Sequence, residues 1–66
     1  MAGQQTVVIR LPEVRRRTGL GRSTLYSLMK QGDFPRAIPL SARSVGWVAA
    51  EVESWLAERA AKRAKA

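Results

Sequence analysis

The feature that most constrains this fold is a three-residue break, Gly19-Leu20-Gly21, between two segments that favour short helices. Leu11-Pro12-Glu13 predicts the start of the first helix, because proline suits the first helical position and an acid suits the positive end of the helix dipole. This helix is predicted to run to about Thr18. The second is predicted over about Arg22–Gln31, where Gly32 supplies a C-terminal stop. Two short helices joined by about three residues have the spacing of a helix-turn-helix.

The remaining segments predict a small sheet and a last helix. Thr6–Arg10 is short and rich in β-branched residues, which favours a strand or an extended arm. Ala37–Leu40 and Val45–Val48 predict two strands joined by a four-residue hairpin turn, and Pro39 places the first of them at a sheet edge. A last helix is predicted from near Ala49, because apolar residues recur there at i, i+4, i+7 and i+8. Those residues are Val48, Val52, Trp55 and Leu56.

Length and composition exclude several classes of protein. With 66 residues, the chain is expected to form one domain over residues 1–66. It has no cysteine and no histidine, so it offers no disulfide, no thiolate metal site and no imidazole base. Its apolar runs are too short to cross a membrane, and its N-terminal region lacks a secretory apolar core. We therefore expect a cytoplasmic protein that is not an enzyme and uses no cofactor, metal or membrane.

The charge of the chain is high and unevenly placed. The formal net charge is +7, from 12 basic and 5 acidic residues. Residues 1–44 hold eight basic and two acidic residues, a net +6, whereas residues 45–66 hold four and three, a net +1. A basic excess favours a polyanionic partner, because each neutralised phosphate releases counterions. The alternative is a charge that serves solubility alone.

The second helix separates its apolar and polar residues on a helical wheel. Leu25, Leu28 and Met29 fall on one arc, and the rest of the circumference carries hydroxyls and cations but no acid. A solvated helix face ordinarily favours Glu–Lys pairs. Short hydroxyls at a helix N-terminus allow close approach and can donate to phosphates or reach base edges. This face therefore predicts a DNA-recognition helix, and the alternative is a surface helix whose Tyr26 covers the edge of the core.

Other basic and aromatic residues have separate predicted roles. The run Arg15-Arg16-Arg17 either contacts backbone phosphates, with at most two side chains facing DNA, or forms a solvated face. Arg43 at the hairpin tip is either an ordinary turn residue or enters a narrow minor groove, and Arg36 is a further candidate for a phosphate contact. The large rings of Phe34, Trp47 and Trp55 are predicted to lie in the core. The predicted DNA contacts are Arg22, Ser23, Thr24, Tyr26, Ser27, Lys30, Arg43, Ser44, Arg16 and Arg36.

Four short motifs in a fixed order carry a family resemblance. They are Arg22-Ser23-Thr24-Leu25-Tyr26, Gly32-Asp33-Phe34-Pro35, Arg43-Ser44-Val45-Gly46-Trp47 and Glu51-Val52-Glu53-Ser54-Trp55-Leu56. Over about Ile9–Glu58 the chain resembles the AlpA family of prophage regulatory proteins, and more loosely excisionases with a MerR-like winged-helix domain. The resemblance implies a small α+β fold, a winged helix-turn-helix with three helices and a short β-hairpin wing.

The resemblance also implies a function. It points to a sequence-specific regulator that binds double-stranded DNA at the nucleoid and activates integrase or excision functions of a prophage or mobile element. One alternative is an excisionase that binds and bends attachment-site DNA, with integrase or adjacent copies of itself as partners. The other is an adaptor that binds a protein such as a recombinase through its hairpin or last helix.

Overall fold

The computed structural model describes residues 6–63, so the first five and last three residues of the predicted domain lie outside the described range. Three helices and three strands follow one another along the chain. They are β1 (Val8–Ile9), α1 (Leu11–Thr18), α2 (Arg22–Gln31), β2 (Ile38–Ser41), β3 (Ser44–Val48) and α3 (Ala49–Lys62). This order confirms the predicted winged helix-turn-helix, with α1 and α2 as the helix pair and β2–β3 as the wing.

The three strands form one antiparallel sheet in the order β1-β3-β2. The Thr6–Arg10 segment contributes the short strand β1, whose Ile9 pairs with Trp47 of β3. On the other side of β3, Ile38 of β2 pairs with Gly46. β2 is therefore an edge strand, which confirms the position that Pro39 predicts for it.

The hairpin turn is tighter than the sequence predicts. Ser41 pairs with Ser44, so two residues rather than four make the turn, and Arg43 is one of them. The register shifts between Pro39 and Ser41, which places an irregularity at Leu40. Type I′ and II′ turns match the twist of the flanking strands, and both need a positive φ within the turn. Within residues 6–63 only glycines have a positive φ, and neither turn residue is a glycine, so this turn belongs to neither type. An irregularity of this kind increases the local twist instead.

Glycines in the left-handed conformation end both helices of the pair. Gly19 has a φ of 74° and its amide donates to the Arg15 carbonyl, and Gly32 has a φ of 82°. After Gly32, the Asp33 amide reaches back to the Leu28 carbonyl at 2.8 Å. Such bonds satisfy the last carbonyls of a helix, and only glycine adopts this backbone without strain. The two glycines therefore fix where α1 and α2 end.

The core is small and takes a residue from almost every element. Its seven buried members are Ile9, Val14, Leu25, Phe34, Trp47, Ala49 and Val52. Phe34 and Trp47 thus lie in the core as predicted, while Trp55 is half-buried at its margin. The Trp55 ring packs against Phe34 with centroids 4.8 Å apart, and its indole nitrogen donates to the Asp33 carbonyl.

Gly46 allows the two outer strands to close over β3. A Cβ atom at this position would collide with the Val8 side chain and lie 3.1 Å from both the Ile9 carbonyl oxygen and Leu40 Cδ1. Because Gly46 has no side chain, the side chains of Val8 in β1 and Leu40 in β2 can both lie against it, on the face of the sheet away from Trp47. Since Trp47 is the next residue in the strand, it points to the opposite face, toward the helices.

Candidate nucleic-acid interface

Helix α2 turns one narrow side to the core and a broad side to solvent. Leu25 is fully buried, and Leu28 and Met29 are half-buried against the core. The other side chains of the helix are all exposed, and we call them the recognition face. They are Arg22, Ser23, Thr24, Tyr26, Ser27, Lys30 and Gln31. The division into a dry arc and a polar arc agrees with the helical wheel.

The recognition face is positive and free of carboxylates. The helix has no acid in its first turn, and among the ion pairs of residues 6–63 none involves Arg22 or Lys30. Its N-cap residue, Gly21, offers no side-chain hydrogen bond, and the Leu25 amide makes the first bond of the helix, to the Gly21 carbonyl. The amides of residues 22–24 therefore lack helical acceptors, and together with the helix dipole they favour an anion at this end.

Tyr26 joins the recognition face to the core. Its ring meets the buried ring of Trp47 edge to face, with centroids 6.3 Å apart and planes at 73°. The side chain still leaves 38% of its surface in solvent, and the guanidinium carbon of Arg22 lies 5.5 Å from the ring centroid. Tyr26 therefore covers the edge of the core and also presents a surface beside a cation that has no ion pair within residues 6–63.

A shallow groove at the C-terminal end of α2 brings together cations that are distant in the sequence. Tyr26, Met29 and Lys30 line it from the helix, and Arg36 and Ala37 line it from the segment before β2. The motif pattern alone does not reveal that Lys30 and Arg36 share one groove. Their common position depends on the turn at Gly32, which reverses the chain beside the helix.

The predicted wing residues lie at the tip of the hairpin. Arg43 occupies the two-residue turn and is exposed, whereas Ser44 begins β3 and is half-buried. Within residues 6–63 Arg43 has no ion pair. The side chain of Arg43 is therefore available to a ligand that reaches the wing, and Ser44 is less so.

The arginines of α1 differ from Arg22 of the recognition face, because two of the three pair with carboxylates. Glu13 accepts bonds from Nε and Nη2 of Arg16 and from Nε of Arg17, the last at 2.8 Å. Arg17 also reaches Glu53 on α3 through Nη1 at 2.8 Å. Arg15 is exposed and has no ion pair within the described residues. We call Glu13, Arg16, Arg17 and Glu53 the charge-paired seam.

The seam changes the acidity of its members. Hydrogen bonds from Arg16 and then Arg17 lower the pKa of Glu13 to about 2. The same bonds to Glu13 raise the pKa of both guanidiniums, with Glu53 adding to the effect on Arg17. The spacing from Glu13 to the two arginines, i+3 and i+4, is the sequence signal for this part of the seam. The Arg17–Glu53 contact joins residues 36 positions apart and has no such signal.

Metal-binding clusters and membrane-spanning helices are both absent from the described part of the chain. Residues 6–63 contain no group of three or more side chains placed to hold a metal ion. None of the helices in that range has the length and apolar character needed to cross a bilayer.

Comparison with known proteins identifies similar sequences. The model of the family described as "Prophage CP4-57 regulatory protein (AlpA)" matches residues 7–60. The chain is 44% identical over 55 residues to the uncharacterized protein ORF88 of Enterobacteria phage P4, a match that covers 83% of this chain and 62% of that protein. It is 36% identical over 58 residues to the DNA-binding transcriptional activator AlpA of Escherichia coli (strain K12), covering 79% of this chain and 83% of that protein. The chain thus spans less than two thirds of the phage protein and most of the bacterial one.

Proposed function

This chain belongs to the AlpA family of prophage regulatory proteins, and we propose that it regulates transcription by binding a specific sequence of double-stranded DNA. The observation that carries this proposal is the recognition face, which is exposed, carries Arg22 and Lys30, and has no acid. It follows a short turn from α1, as the reading helix of a helix-turn-helix does. The family is one of regulators and not of enzymes.

In the proposed complex, α2 enters the major groove with its N-terminal end leading. Ser23, Thr24 and Ser27 are short, exposed hydroxyl residues, so the helix can approach base edges closely. The unpaired amides of residues 22–24 suit a backbone phosphate at the mouth of the groove. Tyr26 lies along the same side of the helix and would contact the DNA with the part of its ring that is exposed.

Cations on both sides of α2 would fix the register of the helix on the duplex. Lys30 and Arg36 share the groove at the end of the helix, where a phosphate can meet both. Arg43 would place the wing tip in the adjacent minor groove, with Ser44 beside it. Arg16 remains a candidate on α1, with 73% of its side chain exposed, but a phosphate there must compete with Glu13.

The proposal extends to the role of the protein in a mobile element. The bacterial relative is described as a transcriptional activator, and we infer the same sign of regulation here, with an integrase or excision gene as the target. The protein would then act on nucleoid DNA in the cytoplasm. Copies on adjacent sites, or contacts with integrase, would belong to the alternative role in recombination.

DNase footprinting and gel-shift titration on the intergenic DNA around the gene test the proposal. We expect protection of a discrete sequence and a marked preference for it over scrambled DNA at moderate salt. Binding without sequence preference would contradict the proposal. Protected sites at a promoter indicate activation, whereas repeated sites within an attachment arm indicate the excisionase role instead.

A further inference from the structure

Arg22, Tyr26 and Trp47 form a continuous stack from the surface to the core. Trp47 is fully buried, the ring of Tyr26 meets it edge to face, and the Arg22 guanidinium lies over the Tyr26 ring. Arg22 and Tyr26 are four residues apart in α2, so their side chains lie on the same side of the helix. The outermost member of the stack is thus a cation whose position depends on an aromatic ring that the core fixes.

The environment of Arg22 differs from that of the other cations on the same surface. The guanidinium has no carboxylate partner within residues 6–63, so its five donors remain unpaired by acids. A free arginine loses side-chain freedom when a ligand fixes it, and stacking on a ring removes part of that freedom before any ligand binds. Lys30 and Arg36, by comparison, line an open groove in which the described residues supply no such cation–π contact.

We propose that Arg22 is the specificity-determining residue of α2, that it reads a guanine in the major groove, and that Tyr26 is its positioning residue. This inference rests on the proposed function. Arg22 is the first residue of α2, and the N-terminal residues of a recognition helix are those that contact base edges. A guanidinium matches the O6 and N7 acceptors of guanine with two parallel bonds from one rigid, planar fork, whereas a side chain without donors makes no such contact. An arginine held in a fixed orientation is suited to this contact.

Binding-site selection with the full chain and a random duplex library tests the inference. The variants are Arg22→Ala, Tyr26→Leu and Tyr26→Phe, with Arg36→Ala as the matched control for the loss of an arginine that lines the groove. For each protein, the ratio of affinities for the selected site and for the same site with one G·C pair replaced by A·T is then measured by fluorescence anisotropy. Thermal melting of every variant confirms that it is folded at the assay temperature.

We expect the wild type to select a guanine at one defined position, and Arg22→Ala to lose that preference by about 5- to 150-fold, the worth of one bidentate base contact. Tyr26→Leu is expected to lose a smaller part of the same preference, while Tyr26→Phe, which keeps the ring, retains it. Arg36→Ala is expected to weaken binding to both duplexes alike and so to leave the preference unchanged. A guanine preference that survives in Arg22→Ala overturns the inference, as does a Tyr26→Leu variant that discriminates as the wild type does. A selected site with no guanine also overturns it but leaves the proposed function intact. No selected site at all contradicts the proposed function itself.

Discussion

The charge-paired seam and the recognition face use arginine in opposite ways. In the seam, Arg16 and Arg17 share Glu13, and Arg17 also links α1 to Glu53 of α3. On the recognition face, Arg22 lies over the ring of Tyr26 and has no carboxylate partner within residues 6–63. Both surfaces belong to one strongly basic chain, so net charge alone does not say which cations are available to DNA. The presence or absence of a nearby acid does.

The two surfaces also differ in what supports them. The seam consists of surface ion pairs, which contribute little to stability because water screens them. The recognition face rests on buried apolar groups, chiefly Leu25 and Trp47, neither of which exposes any surface. The position of α2 should therefore depend on the core far more than the position of α1 depends on its ion pairs.

The largest expected effect comes from removing the apolar support. Trp47→Ala should destabilise the domain by about 3–5 kcal/mol, against a total of about 3–10 kcal/mol for a chain of this length. Thermal unfolding followed by circular dichroism measures the loss. Trp55→Ala is the control, because Trp55 is half-buried and its removal should cost less stability than the removal of Trp47. Equal losses from the two variants would mean that the ring beneath Tyr26 supports the fold no more than the ring at the margin of the core does.

A carboxylate placed on the recognition face should weaken DNA binding, because this face would then carry an acid as the charge-paired seam does. Ser27→Glu places a negative charge against phosphates and bases, and like charges at an interface cost several kcal/mol. We expect affinity for the specific site to fall by a factor of about 100, with little change in melting temperature. Ser54→Glu makes the same chemical change on the exposed part of α3 and should leave binding nearly intact. If Ser27→Glu bound as the wild type does, α2 would not be the helix that reads DNA.

The salt dependence of binding separates unpaired cations from paired ones. Lys30→Ala removes a cation that has no ion pair among the described residues. It should reduce the slope of log K against log salt by about 0.9, as expected for one phosphate contact. Arg16→Ala should reduce it less, because Glu13 already takes part of that charge. Gel shifts at several salt concentrations give both slopes. A reduction for Arg16→Ala as large as that for Lys30→Ala would show that Arg16 leaves the seam when DNA binds.

The smallest expected effect is the loss, at acidic pH, of the stability that the charge-paired seam contributes to the fold. The paired arginines lower the pKa of Glu13 from an ordinary value of 4.5 to about 2. The folded state therefore binds the proton of Glu13 less readily than the unfolded state, so the contribution is full above about pH 4.5 and is lost as the pH falls toward 2.

Melting temperatures between pH 2 and pH 6 test this for the wild type and Glu13→Gln. The wild type should be slightly the more stable at pH 6, and the difference should vanish near pH 2. Glu58→Gln, which changes the net charge equally, controls for the general effect of charge. A difference between wild type and Glu13→Gln that does not change over this range would mean that the seam breaks in solution.

Local signals were sufficient to predict most of the fold. The glycines at 19 and 32 mark the ends of α1 and α2 because each adopts a backbone that other residues avoid. Pro39 predicts an edge strand because it has no amide to donate to a neighbour. The apolar arc of α2 predicts which side is buried because helical periodicity is a property of the chain itself. In each case the physical cause lies within a few residues of the signal.

The features that sequence reasoning missed depend on contacts across the fold. The hairpin turn has two residues rather than four, because the irregularity at Leu40 shifts the register of β2 by one position. The Arg17–Glu53 pair and the groove shared by Lys30 and Arg36 arise only when separate elements pack together. The stack beneath Arg22 needs Trp47 from another element and was equally hidden. Which of the exposed side chains touch DNA remains a prediction for binding experiments.

The edge strand β2 has a consequence for the behaviour of the protein at high concentration. Ile38 and Leu40 leave 36% and 47% of their surfaces in solvent. Exposed apolar residues of this kind in a flat edge strand favour association between chains. Pro39 withholds a donor between these two residues, and the shift at Leu40 breaks the ladder that an incoming strand would need. The wing can therefore expose apolar side chains without pairing with a strand of another chain. We expect replacement of Pro39 to promote aggregation of concentrated samples more than any other change in β2.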